Sequence, residues 1–228
     1  MQNKVQIISA RKLDISNIEE AKKKGIDIFD FDFVQITYIK DNKILDKLYS
    51  NEDSFVFTSI HAINAIDDIE KLKTKKAYCI GGKTSLQAEK RGFEILGTGD
   101  NALELAKVIN KTGEKKVCHL ASNPRRNELY NYLESVNVQV ETIEVYQKQL
   151  KPIKVDFAYD AILFFSPSQV EAFLEINKLP KDVICFCIGE TTASYLKQKC
   201  TNKIIVSKKH SEEAMLKSLY DYYKINEK

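Results

Sequence analysis

A chain of 228 residues with 43% hydrophobic and 29% charged content carries enough apolar material for a folded core and excludes a long disordered protein. A net charge of +3 is too small to mark a nucleic-acid binder, and the one dense basic run, residues 71–76, reads as a solvated loop between a helix and a strand. No stretch approaches ~18 apolar residues and the amino end lacks a signal-like apolar segment, so a cytoplasmic protein that neither enters a membrane nor is exported is expected. In chain order, short apolar runs alternate with segments of helical period. Strands are predicted over 5–9, 54–58, 77–80, 117–120, 161–165 and 183–188, and helices over 15–24, 61–72, 84–91, 127–135, 169–177 and 192–199. The alternation defines an α/β protein with mainly parallel sheets flanked by helices. Two longer extended stretches, 30–40 and 138–150, suit connections between lobes.

The chain also repeats itself. Phe57-Thr58-Ser59 is followed, 22 residues after its serine, by Gly81, and Ser166 is followed after 23 by Gly189; Thr84 and Thr192 each sit three past their glycine. The run from Lys4 to Ile36 parallels that from Lys116 to Tyr146. Two halves of about 110 residues sharing one plan indicate two similar domains, each large enough for its own core. Pattern alone leaves open whether each half folds by itself or the first 36 residues join the last 80.

Chemistry concentrates in the repeated turns. Thr58, Ser59, Gly81, Thr84, Ser166, Gly189, Thr191 and Thr192 lie where a buried strand gives way to a helix. There the first backbone N–H groups lack intrahelical partners and the dipole favours an anion. The hydroxyls can equally act as N-caps, each contributing about 1 kcal/mol. Asn123, Arg125 and Arg126 follow another strand and either pair with carboxylates or form a solvated helix start. Tyr146, protonated at neutral pH, can give a proton to a leaving hydroxyl or simply pack.

The histidines, His61, His119 and His210, form no metal or triad pattern, and neither a Walker loop nor a G-x-G-x-x-G turn is present. The cysteines, Cys79, Cys118, Cys185, Cys187 and Cys200, are odd in number and lack C-x-x-C spacing, so reduced, packed thiols are expected, with no metal and no cofactor.

The ordered series Phe57-Thr58-Ser59, Ile80-Gly81, Asn123 with Arg125 and Arg126, Val145-Tyr146-Gln147, Phe165-Ser166-Pro167-Ser168 and Ile188-Gly189-Glu190-Thr191-Thr192 resembles the uroporphyrinogen-III synthase family across nearly the whole chain. The resemblance implies two α/β domains joined by a two-strand connection, with 1–37 plus 150–228 forming one and 38–149 the other. It implies cofactor-free cyclisation of hydroxymethylbilane, a linear tetrapyrrole with eight carboxylates, with inversion of the last ring; a monomer is expected separately, because no heptad pattern or exposed apolar stripe is present. Tyr146 would assist hydroxyl departure, and the turn residues with Asn123, Arg125 and Arg126 would hold substrate in a cleft between domains. The chain departs from the family at Ala121-Ser122-Asn123, where Cys-Gly-Asn is common, and at Arg11, one residue away from the usual arginine. A non-catalytic two-lobed receptor for an anionic ligand is the alternative, and a phosphate-handling transferase a third reading.

Overall fold

The computed structural model describes residues 4–50, 53–123 and 127–225; Arg125, Arg126 and the Asn123 side chain, named above, lie outside what is described. In chain order the elements are β1 (Val5–Ser9), α1 (Ile15–Lys23), β2 (Ile26–Asp30), β3 (Val34–Tyr38), α2 (Asn42–Tyr49), β4 (Ser54–Phe57), α3 (Ile60–Asn64), β5 (Lys76–Ile80), α4 (Gly82–Lys90), β6 (Glu94–Gly99) and α5 (Ala102–Lys111). There follow β7 (Lys116–Asn123), α6 (Glu128–Ser135), β8 (Gln139–Leu150), β9 (Ala161–Phe164), α7 (Pro167–Ile176), β10 (Ile184–Cys187), α8 (Glu190–Lys197), β11 (Ile204–Val206) and α9 (Glu212–Tyr222). Among the described residues no helix is long and apolar enough to cross a membrane.

The chain divides into two compact units, Met1–Gln35 with Gln149–Lys228, and Ile36–Lys148. Both crossings therefore fall inside strands, β3 and β8. These two strands run antiparallel: Ile39 N donates to Val145 O (3.0 Å) and Lys151 N to Phe33 O (2.9 Å), so the partner number falls as the chain advances.

The first unit holds a sheet in the order β11-β10-β9-β1-β2, with every neighbouring pair parallel. The second holds β3-β8-β7-β4-β5-β6, parallel from β8 to β6. Read from β7, the second sheet has the order of the first, β8-β7-β4-β5-β6 against β2-β1-β9-β10-β11. The sequence duplication is thus a duplication of topology, expressed with the chain opened at a different point.

Strand residues alternate between faces, and both faces are covered. In the first unit Ile8, Ile162, Phe164, Cys185 and Phe173 pack together on one side, while Ile7, Leu163, Phe186, Met215 and Leu219 fill the other. In the second, Phe55, Phe57, Cys79, Cys118, Leu120 and Tyr146 share one core, and Val56, Tyr78, Val117, Leu105 and Leu129 share another. Neighbours in sequence thus go to opposite cores, which is why the central strands read as unbroken apolar runs.

The predicted helix over 61–72 is corrected. After α3 the chain leaves the helical path and re-forms a single 3₁₀ turn over Ile69–Leu72. Asp68 N donates to Tyr49 Oη (3.1 Å), and Asp67 pairs with Lys40 Nζ (2.5 Å), so partners elsewhere in the unit draw the segment off the α path. The strands β2, β6 and β11 and the helices α2, α5 and α9 were not foreseen. β6 is interrupted by Gly97 and Gly99, which mask its strand pattern; a Cβ at Gly99 would strike the Leu105 backbone, so α5 packs directly over the strand.

At the amino edge of the second sheet, Glu141 accepts from Lys116 Nζ (2.8 Å) and pairs with Lys47 Nζ (2.9 Å). The bond from Lys116, then that from Lys47, pulls its carboxyl from an ordinary 4.5 down to about 2. A depressed acid contributes its stability above the unfolded value and loses it as the pH falls through the folded one. Glu141→Gln is therefore expected to flatten the pH dependence of the urea midpoint between pH 4.5 and about 2. Superimposable acid limbs in the two proteins would remove the pair from the stability account.

Candidate functional site

Four turns leave the carboxyl ends of central parallel strands and open helices, two in each unit. After β4, Ser59 is the N-cap of α3 and its Oγ accepts from His61 N (3.3 Å). After β9, Ser166 caps α7 by accepting from Gln169 N (3.3 Å), while Gln169 Oε1 accepts from Phe165 N (2.7 Å), one residue before the N-cap, with Pro167 in the first turn. After β5 and β10 the N-caps are Gly81 and Gly189, which have no side chain to offer.

The two glycines answer different demands. Gly81 has φ 74°, a left-handed conformation with open space around a would-be Cβ. Gly189 has an extended φ of −173°, and its side-chain space is occupied by the His210 ring. Thr84 and Thr192, expected at the turns as donors or caps, instead lie inside α4 and α8 and are buried. Thr191, one residue earlier, is exposed. At these two turns the solvent-exposed polar side chains are those of Lys83, Glu190 and Thr191.

Each sheet reverses its winding direction at one place, between β1 and β9 in the first unit and between β7 and β4 in the second. Doubly wound sheets bind ligands outside the carboxyl ends at such a switch. At the first switch, Arg11 follows β1 with its guanidinium 4.2 Å over the Phe165 ring, beside Ser166. It is held by Glu212, a carboxylate only 3% exposed that also accepts from Asp14 N (2.9 Å) and Asn17 Nδ2 (2.7 Å). Arg11 thus finds its place through α9, which local sequence around it does not reveal.

At the second switch, Thr58 Oγ1 lies 3.1 Å from His119 Nε2, whose ring is buried in β7. His119 Nδ1 lies 2.6 Å from Tyr130 Oη, itself 3.1 Å from Thr142 Oγ1. Nearby, Tyr146 packs into the core, 2% exposed, with its ring centroid 5.8 Å from that of His61. His61 Nδ1 is 3.5 Å from Tyr38 Oη. His119 and Tyr130 were not read as site residues; the signal was a histidine at the centre of an otherwise apolar strand.

A cavity of about 330 Å³ in the first unit, lined by Tyr159, Asp160, Val183, Ile184, Tyr222 and Tyr223, opens where β9 and β10 begin, the wrong end of a parallel sheet for the family of sites just described. Four of the cysteines are buried in the strands, and burial pushes the Cys79, Cys118 and Cys187 thiols up to about 12 and raises Cys185 as well. They are packing residues with little thiolate to offer at neutral pH.

Fold and turns together define a two-unit α/β protein whose strand-to-helix turns lie at the carboxyl ends of parallel strands. The family model for uroporphyrinogen-III synthase HemD matches residues 16–217. The structure is similar to that of the uroporphyrinogen-III synthetase of Helicobacter pylori, at 18% identity and TM-score 0.68 over 96% of this chain and 99% of that one. It is similar also to a mutant uroporphyrinogen III synthase of Thermus thermophilus, at 16% identity and TM-score 0.71 over 97% and 98%. A comparison with curated proteins finds no match. The chain belongs to the uroporphyrinogen-III synthase family, the cyclising lyases of haem biosynthesis, as its ordered motifs indicated.

The geometry separates the two glycine turns. Gly81→Ala should cost about 1 kcal/mol in urea denaturation through its left-handed backbone, although nothing obstructs the methyl group. Gly189→Ala should displace only the exposed His210 ring and stay within about 0.5 kcal/mol of the parent; equal losses at both positions would refute the distinction. Removing the buried acceptor, Glu212→Ala, strands three donors and should cost about 3 kcal/mol by the same measurement.

Proposed function

We propose that this chain acts on hydroxymethylbilane, working as a cytoplasmic monomer without a cofactor. Loss of the terminal hydroxyl as water leaves an azafulvene. A substituted carbon of the last pyrrole attacks it, and the resulting spiro intermediate fragments and recloses with that ring inverted. The substrate cyclises unaided to the uninverted isomer, so the protein's contribution is orientation and stabilisation of developing charge. The observation that carries this reading is the set of strand-to-helix turns in each unit of a chain matched by the family model over residues 16–217. Each charge-assisted bond from an amide to a carboxylate contributes on the order of 1.5–3 kcal/mol.

In this scheme Thr58, Ser59, Gly81 and Thr84 of one unit and Ser166, Gly189, Thr191 and Thr192 of the other bind carboxylates. The Thr84 and Thr192 side chains are buried and anchor the turns, and the Thr192 amide donates to Gly189 O (3.1 Å), tightening the start of α8. Asn123, Arg125 and Arg126 add positive charge and donors. Tyr146 assists departure of the hydroxyl, its ring direction set by the surrounding core. The monomer is supported by the scatter of the large exposed apolar side chains, Ile15, Leu86, Leu103 and Ile176 among them, over separate elements.

Purified protein given fresh hydroxymethylbilane is expected to yield type III isomer in excess of type I after oxidation and chromatography; type I alone would reject the proposal. Tyr146→Phe should keep its denaturation midpoint and slow turnover roughly tenfold or more. An unchanged rate would exclude this residue from proton transfer.

A further inference from the structure

We propose that His119 is a positioning residue: it fixes the Thr58 hydroxyl as a hydrogen-bond donor aimed at substrate. The proposal rests on Thr58 binding substrate, as argued above. A neutral imidazole has one N–H and one acceptor nitrogen, and here each nitrogen faces a hydroxyl that can play either part. Two arrangements follow. With the proton on Nδ1, Thr58 must spend its own hydrogen on Nε2 and can only accept from a ligand. With the proton on Nε2, Thr58 Oγ1 accepts from the ring and keeps its hydrogen for an outside acceptor such as a carboxylate.

The distances select the second arrangement. Tyr130 Oη lies 2.6 Å from Nδ1, and Thr58 Oγ1 lies 3.1 Å from Nε2. N–H donors to oxygen span about 2.7–3.2 Å, so the 3.1 Å leg fits a ring N–H donor and the 2.6 Å leg is too short for one, which points to the hydroxyl as its donor. The short leg is therefore Tyr130 O–H donating to Nδ1, and the long leg is Nε2–H donating to Thr58. A phenol is also a stronger donor than an aliphatic hydroxyl, which favours the same sense. Thr142, 3.1 Å from Tyr130 Oη, can donate to the phenol oxygen in turn. Donation then runs one way, from Thr142 through Tyr130 and His119 to Thr58, and each bond polarises the next.

The placement supports a directing role. His119 pairs with Val56 across the β7–β4 ladder, so it stands on the strand bordering the switch, two residues short of Thr58 in register. Its ring is 4% exposed while Thr58, like Tyr130 and Thr142, is half-buried, so the histidine is the enclosed link and Thr58 is the hydroxyl of the series that lies at the carboxyl end of β4, beside the switch.

The test is a long-range ¹H–¹⁵N correlation spectrum of the whole protein, unsubstituted, with ¹⁵N-labelled histidine near neutral pH, joined to a kinetic cycle. His119 is expected to show a protonated Nε2 and a bare Nδ1; the reverse pattern would overturn the proposal whatever the activity. In kinetics, Thr58→Val and Tyr130→Phe should each lower kcat/KM for hydroxymethylbilane about tenfold, with the double variant losing no more than either alone. Losses that multiply would mean that Tyr130 acts on stability or elsewhere, and would also overturn it. Absence of type III product from the parent protein would instead reject the synthase proposal, leaving the tautomer result to be judged by itself.

Discussion

A parallel strand buried on both faces must send its chain out at the carboxyl end and start the next helix there. That constraint leaves amide donors without partners at one end of each sheet. Ser59, Ser166, Gly81 and Gly189 sit at such exits, and each helix start meets its orphan N–H groups differently. Serine caps satisfy one amide and leave the rest to solvent or ligand. Glycine caps offer no side-chain acceptor, although Gly189 O accepts from Thr192 N (3.1 Å), and Gly81 turns the backbone through a left-handed conformation that other residues adopt only under strain. The capacity to hold carboxylates is thus a property of the backbone first and of side chains second.

Duplication multiplies this capacity without requiring identical chemistry. The two sheets share one strand order, yet their switch points are furnished differently. Arg11 stacked on Phe165 and anchored by Glu212 places a fixed positive charge in the first unit. Thr58, His119 and Tyr130 place a hydrogen-bonded series of polar side chains in the second.

Much of this was legible in the chain. The buried central strands, their helical partners and the matched turns follow from apolar runs and repeat spacing, and the family resemblance stands with the match over residues 16–217. What escaped was set by distant contacts. The segment after Asn64 lost its helix to Tyr49 and Lys40, which sit on other elements. β2 is a half-exposed edge strand with aspartates in it, and β6 is thinned by glycines that admit α5, so neither shows a clean strand pattern. The tie between Arg11 and Glu212 spans almost the entire chain, and His210 reaches Gly189 only through the fold. Spacing also could not tell that the Thr84 and Thr192 side chains turn into the packing while Thr191 stays exposed.

The most direct test of backbone recognition is an amide ¹H–¹⁵N titration of the labelled protein with a stable octacarboxylate porphyrin. The account predicts the largest shifts at the helix starts, in residues 60–61, 82–84, 168–169 and 190–192, with residues 159–161 and 182–184 at the opposite end unmoved. Shifts confined to that opposite end, around the Tyr159 and Tyr222 cavity, would contradict it.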